Sequence, residues 1–493
     1  MKRILLIFLF VQGFTAFAQQ QTATYSVSPA AFEENTSITI TINGSSINEA
    51  TWGVTGNSLY MWAWAFDLSG VTQKGTPLNG DWNNSNEASK FTYNQTNDTY
   101  TKTFTPTTYY NTTGIGKIGF LIKAKDGTGD KKSQDILVEV GSFQVNLTAP
   151  TQNSATILNS GSSFTITATN TNGNASYNLK SNGVSINTNV STSNYSYTQT
   201  NIISNQNYEL EVLQGTTTIT KKFSVIVNPG NNSQALPSNL VEGINYDPNN
   251  ATKATLVLDA PFKDFVYVAG SFNNWQPTNA YAMKKDTNSD KFWLEFTGLT
   301  SGTKYTYQYW VVDATPFAGT PAMVKTADPY STLVLSPYDD PSIPSASYPN
   351  LPVYPTGQER EVTVLQTGQT PYAWSNATTN CVKPAKEKLV VYELLVRDFD
   401  ASRKFQAVID KLDYFKNLKI NAIQLMPVME FEGNESWGYN TAFHLALDKF
   451  YGTSDKLKEL IDKCHQKGIA VILDVALNHA FGRNPMIRMW MSD

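Results

Sequence analysis

The sequence predicts a multidomain chain: three N-terminal β-sandwich modules of the immunoglobulin-like (E-set) kind, followed by a unit of parallel strands and helices. Three observations carry this. Residues 22–228 alternate apolar and polar side chains with a period of two, as from Ser37 to Ile42 and from Phe164 to Ala168, between Asn- and Gly-rich turns. Loop-forming clusters punctuate the chain at Asn228–Ser233 and between Pro337 and Pro355, where six prolines recur. From residue 389 the alternation gives way to near-continuous apolar runs separated by helical spacing.

In chain order, Lys2-Arg3, an apolar run from Ile4 to Val11 and Ala16-Phe17-Ala18 have the three parts of a secretory signal peptide over residues 1–18. The run is too short for a membrane span, and no other long apolar segment exists. Export to the periplasm or the medium is therefore expected, with Gln19 as the first mature residue. The first sandwich is placed at 22–142. Its Tyr60, Trp62, Trp64 and Phe66 share one parity and so one face of a strand. Sandwich core is the favoured reading of that row; a glucan-stacking platform at Trp62 and Trp64 is the competing one. The second module, 143–228, is poor in Trp and reads as a spacer. The third is placed at 234–336, and 337–388 as a Pro-rich linker and lead-in.

Leu389 to Val396 reads as a strand buried on both sides. Ser402 is placed to cap a helix carrying Phe405, Ile409, Leu412 and Phe415. Ile420 to Met426 is a second strand, followed by a loop with Trp437-Gly438-Tyr439-Asn440. Ser454 is expected to cap the next helix, with Leu457, Leu460, Ile461 and Cys464 on one face and Gly468 past its end. Ile469 to Leu477 is the third strand. Strand–helix–strand repetition implies parallel pairing, in a barrel or a doubly wound sheet. The last strand delivers Asp474, Asn478 and His479 to one spot.

Composition narrows the partners. Charged residues make up 16% of the chain and the net charge is −4, with no basic block, which argues against nucleic acid. The 25 Tyr, 25 Phe and 10 Trp supply flat apolar faces with polar edges, which suit sugar rings. Cys381 and Cys464 lie far apart, and Cys464 is expected to be a buried free thiol.

Four segments in order, Tyr392 to Phe399, Trp437 to Asn440, Phe450 to Thr453 and Asp474 to His479 (Asp-x-x-x-Asn-His), resemble the opening of the catalytic (β/α)8 TIM barrel of the α-amylase superfamily, glycoside hydrolase family 13. The resemblance implies a retaining α-glucan hydrolase whose partner is an α-glucan polysaccharide or oligosaccharide. It implies that His479 hydrogen-bonds the sugar and that Tyr439 is the platform beneath it. Trp437 lies beside the substrate, and Asp474 stands at the position that orients a neighbouring Arg, one that is not present in this chain. Asn478 would offer an oxygen to a structural Ca²⁺. Glu393, Arg397 and Asp398 read as structural ion-pairing groups, and His444 and His465 as surface or supporting residues. Residues 266–275, Phe292-Trp293 and 302–310 resemble a glycogen-binding-like module of carbohydrate-binding family 48, which implies glucan stacking on Trp275. Asp313 to Pro316 departs from that family's second stacking position, so a module that only buttresses the barrel is the alternative.

In the superfamily the two catalytic carboxylates, about 5–5.5 Å apart in retaining enzymes, follow the fourth and fifth barrel strands. The chain reaches Asp493 after the third. The expectation is an incomplete barrel, with nucleophile and acid/base beyond Asp493 and no hydrolysis by these residues alone. A branching enzyme or other transglycosylase on the same scaffold, and a non-catalytic starch-binding protein, are the alternative readings.

Overall fold

The structure, a computed structural model, describes residues 20–68, 70 and 73–491. The signal peptide expected at 1–18 lies outside them. The chain forms two compact units. One holds most of residues up to 225; the other holds residues 226 onward together with 157–162 and 201–205. Among the described residues no helix is long and apolar enough to cross a membrane.

In the first unit, Tyr25–Ser28, Ile38–Asn43, Thr99–Phe104 and Thr92–Asn94 form one antiparallel sheet. Ile136–Glu139, Ile115–Lys123, Tyr60–Asp67 and Gln73–Gly75 form a second. Ile38, Ile40 and Ile42 all point into the core, while Thr39 faces out and meets Thr103 across the ladder at 2.8 Å. The aromatic row corrects the favoured reading. Its four members do share a face, but the core takes the opposite one, through Met61, Ala63 and Ala65. Tyr60, Trp62, Trp64 and Phe66 lie on the outer side of the sheet. Parity groups residues by face without saying which face is inside. A second pair of sheets follows, one from Val145–Ala149, Ser162–Asn170 and Asn194–Ile202, the other of five strands between Ala155 and Asn228.

In the second unit, Gly243–Tyr246, Ala254–Asp259, Lys291–Phe296 and Lys284–Lys285 form one sheet of a sandwich. The other holds Phe265–Gly270, Lys304–Val312, Met323–Thr326, Val334–Leu335 and Val362–Gln366. Val362–Gln366 pairs with Lys304–Tyr307 on one side and Val334–Leu335 on the other. The module therefore runs to 366, past the boundary expected at 336. The prolines of 337–355 mark an excursion between two paired strands, not the end of a domain.

Three short parallel strands follow: Val391–Leu394, Ala422–Leu425 and Ala470–Leu473, with Leu394, Leu425 and Leu473 in register. Leu394, Ile423, Leu425 and Val471 pack against Phe405, Val408, Phe415, Leu457, Leu460 and Cys464 from the helices. The opposite face carries Glu393, Gln424, Ile472 and Asp474. The third strand stops at Leu473, four residues before the expected end. Asp474 N still donates to Leu425 O at 2.9 Å, after which the chain leaves the ladder and Leu477-Asn478 form a turn. The helix expected after Ser402 is two short helices, Phe405–Asp410 and Leu412–Asn417, broken at Lys411. Ser402 caps neither; its backbone N–H donates to Asp400. The longer helix, Ser454–Gln466, is capped by Thr453, not Ser454, and ends before Gly468 at φ +72°. Cys464 is a buried free thiol and Cys381 an exposed one.

Beyond His479 the chain returns to the sandwich of its own unit. The short helix Pro485–Arg488 leads Met489 into the sandwich core, and Trp490 Nε1 donates to Pro261 O at 3.0 Å.

Candidate functional site

Parallel strands with helical crossovers gather the residues that follow each strand at one end of the sheet, where barrel enzymes hold their chemistry. Here that end carries Tyr439, Asp474 and His479. Asp474 is the first residue past the third strand. Tyr439 comes from the loop between the antiparallel strands Met429–Phe431 and Thr441–Leu447. Its hydroxyl donates to Asp474 Oδ2 at 2.7 Å, and its carbonyl lies 2.8 Å from His479 Nδ1. A carbonyl only accepts, so Nδ1 carries the hydrogen. The neutral ring then presents Nε2 as an acceptor, and the charged ring presents it as a donor. Both forms can meet a sugar hydroxyl.

The loop is shaped by Gly438 at φ +91°. A Cβ there would stand 2.5 Å from the Pro427 carbonyl oxygen, so no other residue fits without moving the loop. Gly438 N donates to Ser436 Oγ at 2.9 Å, Ser436 bonds Asn440, and Asn440 Nδ2 donates to Glu432 O at 2.9 Å. His444, read from sequence as surface or supporting, bonds the His479 carbonyl through Nε2 at 2.9 Å and faces Asn484 Nδ2 through Nδ1 at 3.3 Å. His465 lies on the long helix, bonded to Thr378.

Asp474 sets the electrostatics. The Tyr439 phenol is pushed up to about 12, first by its hydrogen bond to the carboxylate and then by burial. Asp474→Asn is expected to return its titration toward about 10. Tyrosine ¹³Cζ NMR reads this directly, and an unchanged titration would remove Asp474 as the cause. In the structure the Asp474 carboxylate takes the Tyr439 hydroxyl as its partner. Glu393 accepts from Gln424 Nε2 at 3.0 Å, and Arg397 pairs with Asp398 at 2.6 Å.

The remaining candidates are less enclosed. Trp437 is 63% exposed at the loop's edge, and Asn478 is exposed on its turn. Calcium takes six to eight oxygens. Among the described residues no group of three or more His, Cys, Asp or Glu side chains is placed to hold a metal ion. Trp275, at φ +60°, packs half-buried against Leu335, Val362 and Val364 of its own sandwich. Trp64 is 9% exposed and lies flat over Gly119, which leaves Trp62 as the accessible member of that pair.

Sequence reading missed the charge cluster that fixes this rim to the sandwich. Arg483 reaches Asp339 at 2.7 Å and Glu361 at 3.5 Å, and its guanidinium lies 4.5 Å from the Tyr338 ring centroid. Lys449 is fully buried between Glu430 and Asp340. Acids in the Pro-rich stretch 337–355 were the only signal, and they pair with residues a hundred or more positions away.

Residues 397–485 match the family described as Alpha amylase, catalytic domain. Over 100 residues the chain is 41% identical to a malto-oligosyltrehalose trehalohydrolase of Saccharolobus solfataricus, covering 20% of this chain and 18% of that one. Over 108 residues it is 38% identical to α-amylase 3 of Dictyoglomus thermophilum, covering 21% of each. It spans about a fifth of the length of these curated relatives. A solved pullulanase of Paenibacillus barengoltzii, in complex with maltohexaose and α-cyclodextrin, is 19% identical, over 52% of this chain and 41% of that one, with a TM-score of 0.38.

Proposed function

We propose, from the match of residues 397–485 to the α-amylase catalytic-domain family, that this protein is directed at α-linked glucose polymers such as starch, glycogen or maltooligosaccharides. The observation that carries the reading is the Tyr439–Asp474–His479 constellation at the C-terminal end of parallel strands. Tyr439 offers a ring held in place through its hydroxyl. His479 offers a ring nitrogen to a hydroxyl, and Trp437 a further exposed indole. The reaction class that the family match supports is hydrolysis with retention, with glucosyl transfer as the second reading. The three-stranded sheet is read as the first part of a (β/α)8 barrel. The chain is exported under the leader at 1–18, so N-terminal sequencing of secreted protein is expected to begin at Gln19.

Retaining hydrolysis requires two carboxylates about 5–5.5 Å apart on either side of the scissile bond. At this rim Asp474 is engaged by Tyr439 and Glu393 by Gln424. Neither is assigned as nucleophile or acid/base. These 493 residues are therefore expected to bind α-glucan and to release no reducing ends from maltotetraose. Release above a buffer blank would overturn the inactivity. Hydroxyl-radical footprinting with and without maltotetraose tests the rim itself. Protection of Trp437 and Tyr439 is expected, and unchanged labelling of both would overturn the binding assignment.

A further inference from the structure

The outer face of the first sandwich carries an aromatic corner that the rim at 437–479 does not use. Trp62 and Trp82 meet edge to face, with ring centroids 5.1 Å apart and planes at 81°. Both are half-buried. Beneath them Lys123 is fully buried, its ammonium 4.9 Å from the Trp82 centroid and 5.9 Å from that of Trp62. That ammonium donates to Ser85 Oγ at 2.7 Å and to the Lys125 carbonyl at 3.0 Å.

Two glycines make room for the rings. Trp82 Nε1 donates to Gly127 O at 3.0 Å, and a Cβ on Gly127 would lie 2.5 Å from the indole. Trp64 covers Gly119 in the same way, 2.2 Å from the position of a Cβ, and floors the neighbouring part of the cleft. The indoles are thus fixed before any ligand arrives. The cleft is about 370 Å³, with Gln73, Lys132 and Asp135 among its lining and Leu137 49% exposed at its side.

Immobilised aromatic faces bordered by hydrogen-bonding side chains fit a pyranose, whose C–H face is apolar and whose rim is hydroxylated. A single-stranded nucleic acid also stacks on aromatics, but it requires a positive groove along its backbone. Here the central ammonium is consumed beneath the rings, and Asp135 stands in the lining. The angle between the rings selects among sugars. A β-1,4-linked chain is extended and offers flat faces in one plane, which calls for coplanar rings. An α-1,4-linked chain curves and turns its faces from residue to residue, which suits rings set at an angle.

We propose that Trp62 and Trp82, held by Lys123, form a second α-1,4-glucan-binding site, carried by the first sandwich and independent of the rim at 437–479. The ligand class draws on the α-glucan reading of residues 397–485; the stacking corner itself does not. Trp62 and Trp82 are the contacting residues, and Lys123 is a positioning residue.

The test uses the full chain with maltoheptaose and, in parallel, cellohexaose. On unsubstituted protein, hydroxyl-radical footprinting is expected to show maltoheptaose protecting Trp62 and Trp82. Because labelling is read residue by residue, failure at these two positions is distinct from failure at Trp437 and Tyr439. Trp62→Ala and Trp82→Ala are each expected to weaken retention on starch in affinity electrophoresis at least tenfold, with the thermal midpoint little changed. Lys132→Ala and Asp135→Ala, which remove no core packing, are expected to weaken it several-fold. Absence of protection at both tryptophans would overturn the site. So would undiminished retention in the folded variants. Equal protection by cellohexaose would overturn the α-glucan assignment.

Discussion

Lys449→Met is expected to destabilise the unit formed by residues 226–491 by about 3–5 kcal/mol, because it leaves buried acids without their cation. Lys449 has no exposed side-chain area. It contacts Glu430, lies 3.3 Å from Asp340, and follows the buried Asp448. Three acids surround one ammonium. Burial pushes Glu430 up to about 8 and Asp448 up to about 7, against the pull of Lys449, and raises Asp340 as well. Glu430 Oε2 is buried without a hydrogen-bond partner, which fits a carboxyl that keeps its proton well above the usual range. The Lys449 ammonium is pushed up in turn by its acidic neighbours.

The sign of the pH dependence follows. These acids bind protons more tightly folded than unfolded, so their contribution is fully present below the unfolded values near 4 and is lost as pH rises through about 7–8. The urea midpoint of the wild type is expected to fall between about pH 5 and pH 8. The Lys449→Met deficit is expected to shrink toward pH 5, where the orphaned acids can protonate. A variant as stable as the wild type at pH 8 would mean that the cluster is solvated.

Gly438→Ala is expected to have the second largest effect, because it acts on the site through the backbone. At φ +91° an alanine is strained, by about 1–3 kcal/mol for residues held in such regions, and its Cβ would also lie 2.7 Å from Pro427 Cβ. The loop must shift, and with it Trp437 and Tyr439 on either side. The Tyr439–Asp474 hydrogen bond is then lost, so the Tyr439 ¹³Cζ titration is expected to fall from about 12 toward the ordinary phenol range. Maltotriose affinity at the rim should drop with it. A variant with unaltered Tyr439 titration would show that the loop absorbs the methyl group elsewhere.

Local patterns in the sequence located most of what is local in the structure. The Ile38–Ile42 alternation, the order of parallel strands and helices after 389, and the segment from Asp474 to His479 each depend on neighbours a few residues apart. What escaped depends on partners distant in sequence. The row from Tyr60 to Phe66 has one parity, but which face is inside was decided by the opposing sheet. That sheet packs on Met61, Ala63 and Ala65. Trp82 gave no signal, because its pairing with Trp62 and Lys123 brings together three separate segments. The helix expected after Ser402 broke at Lys411, since its apolar residues pack from two short helices in place of one. The boundary at 336 failed because prolines mark a departure from regular structure without revealing that the chain returns at Val362 to finish the same sheet. Nothing in the local sequence marked Lys449, because Asp340 and Glu430 reach it from other segments.

The rim can be tested with very few resonances, because the chain holds three histidines. His479 and His444 are joined at the rim by a 2.9 Å hydrogen bond, and His465 sits on the long helix bonded to Thr378. Imidazole ¹H–¹⁵N spectra of the full chain titrated with maltotriose should show saturable shifts at His479, smaller ones at His444 and none at His465. A titration in which sugar binds and the His479 resonances stay where they were, or move no more than those of His465, would contradict the account.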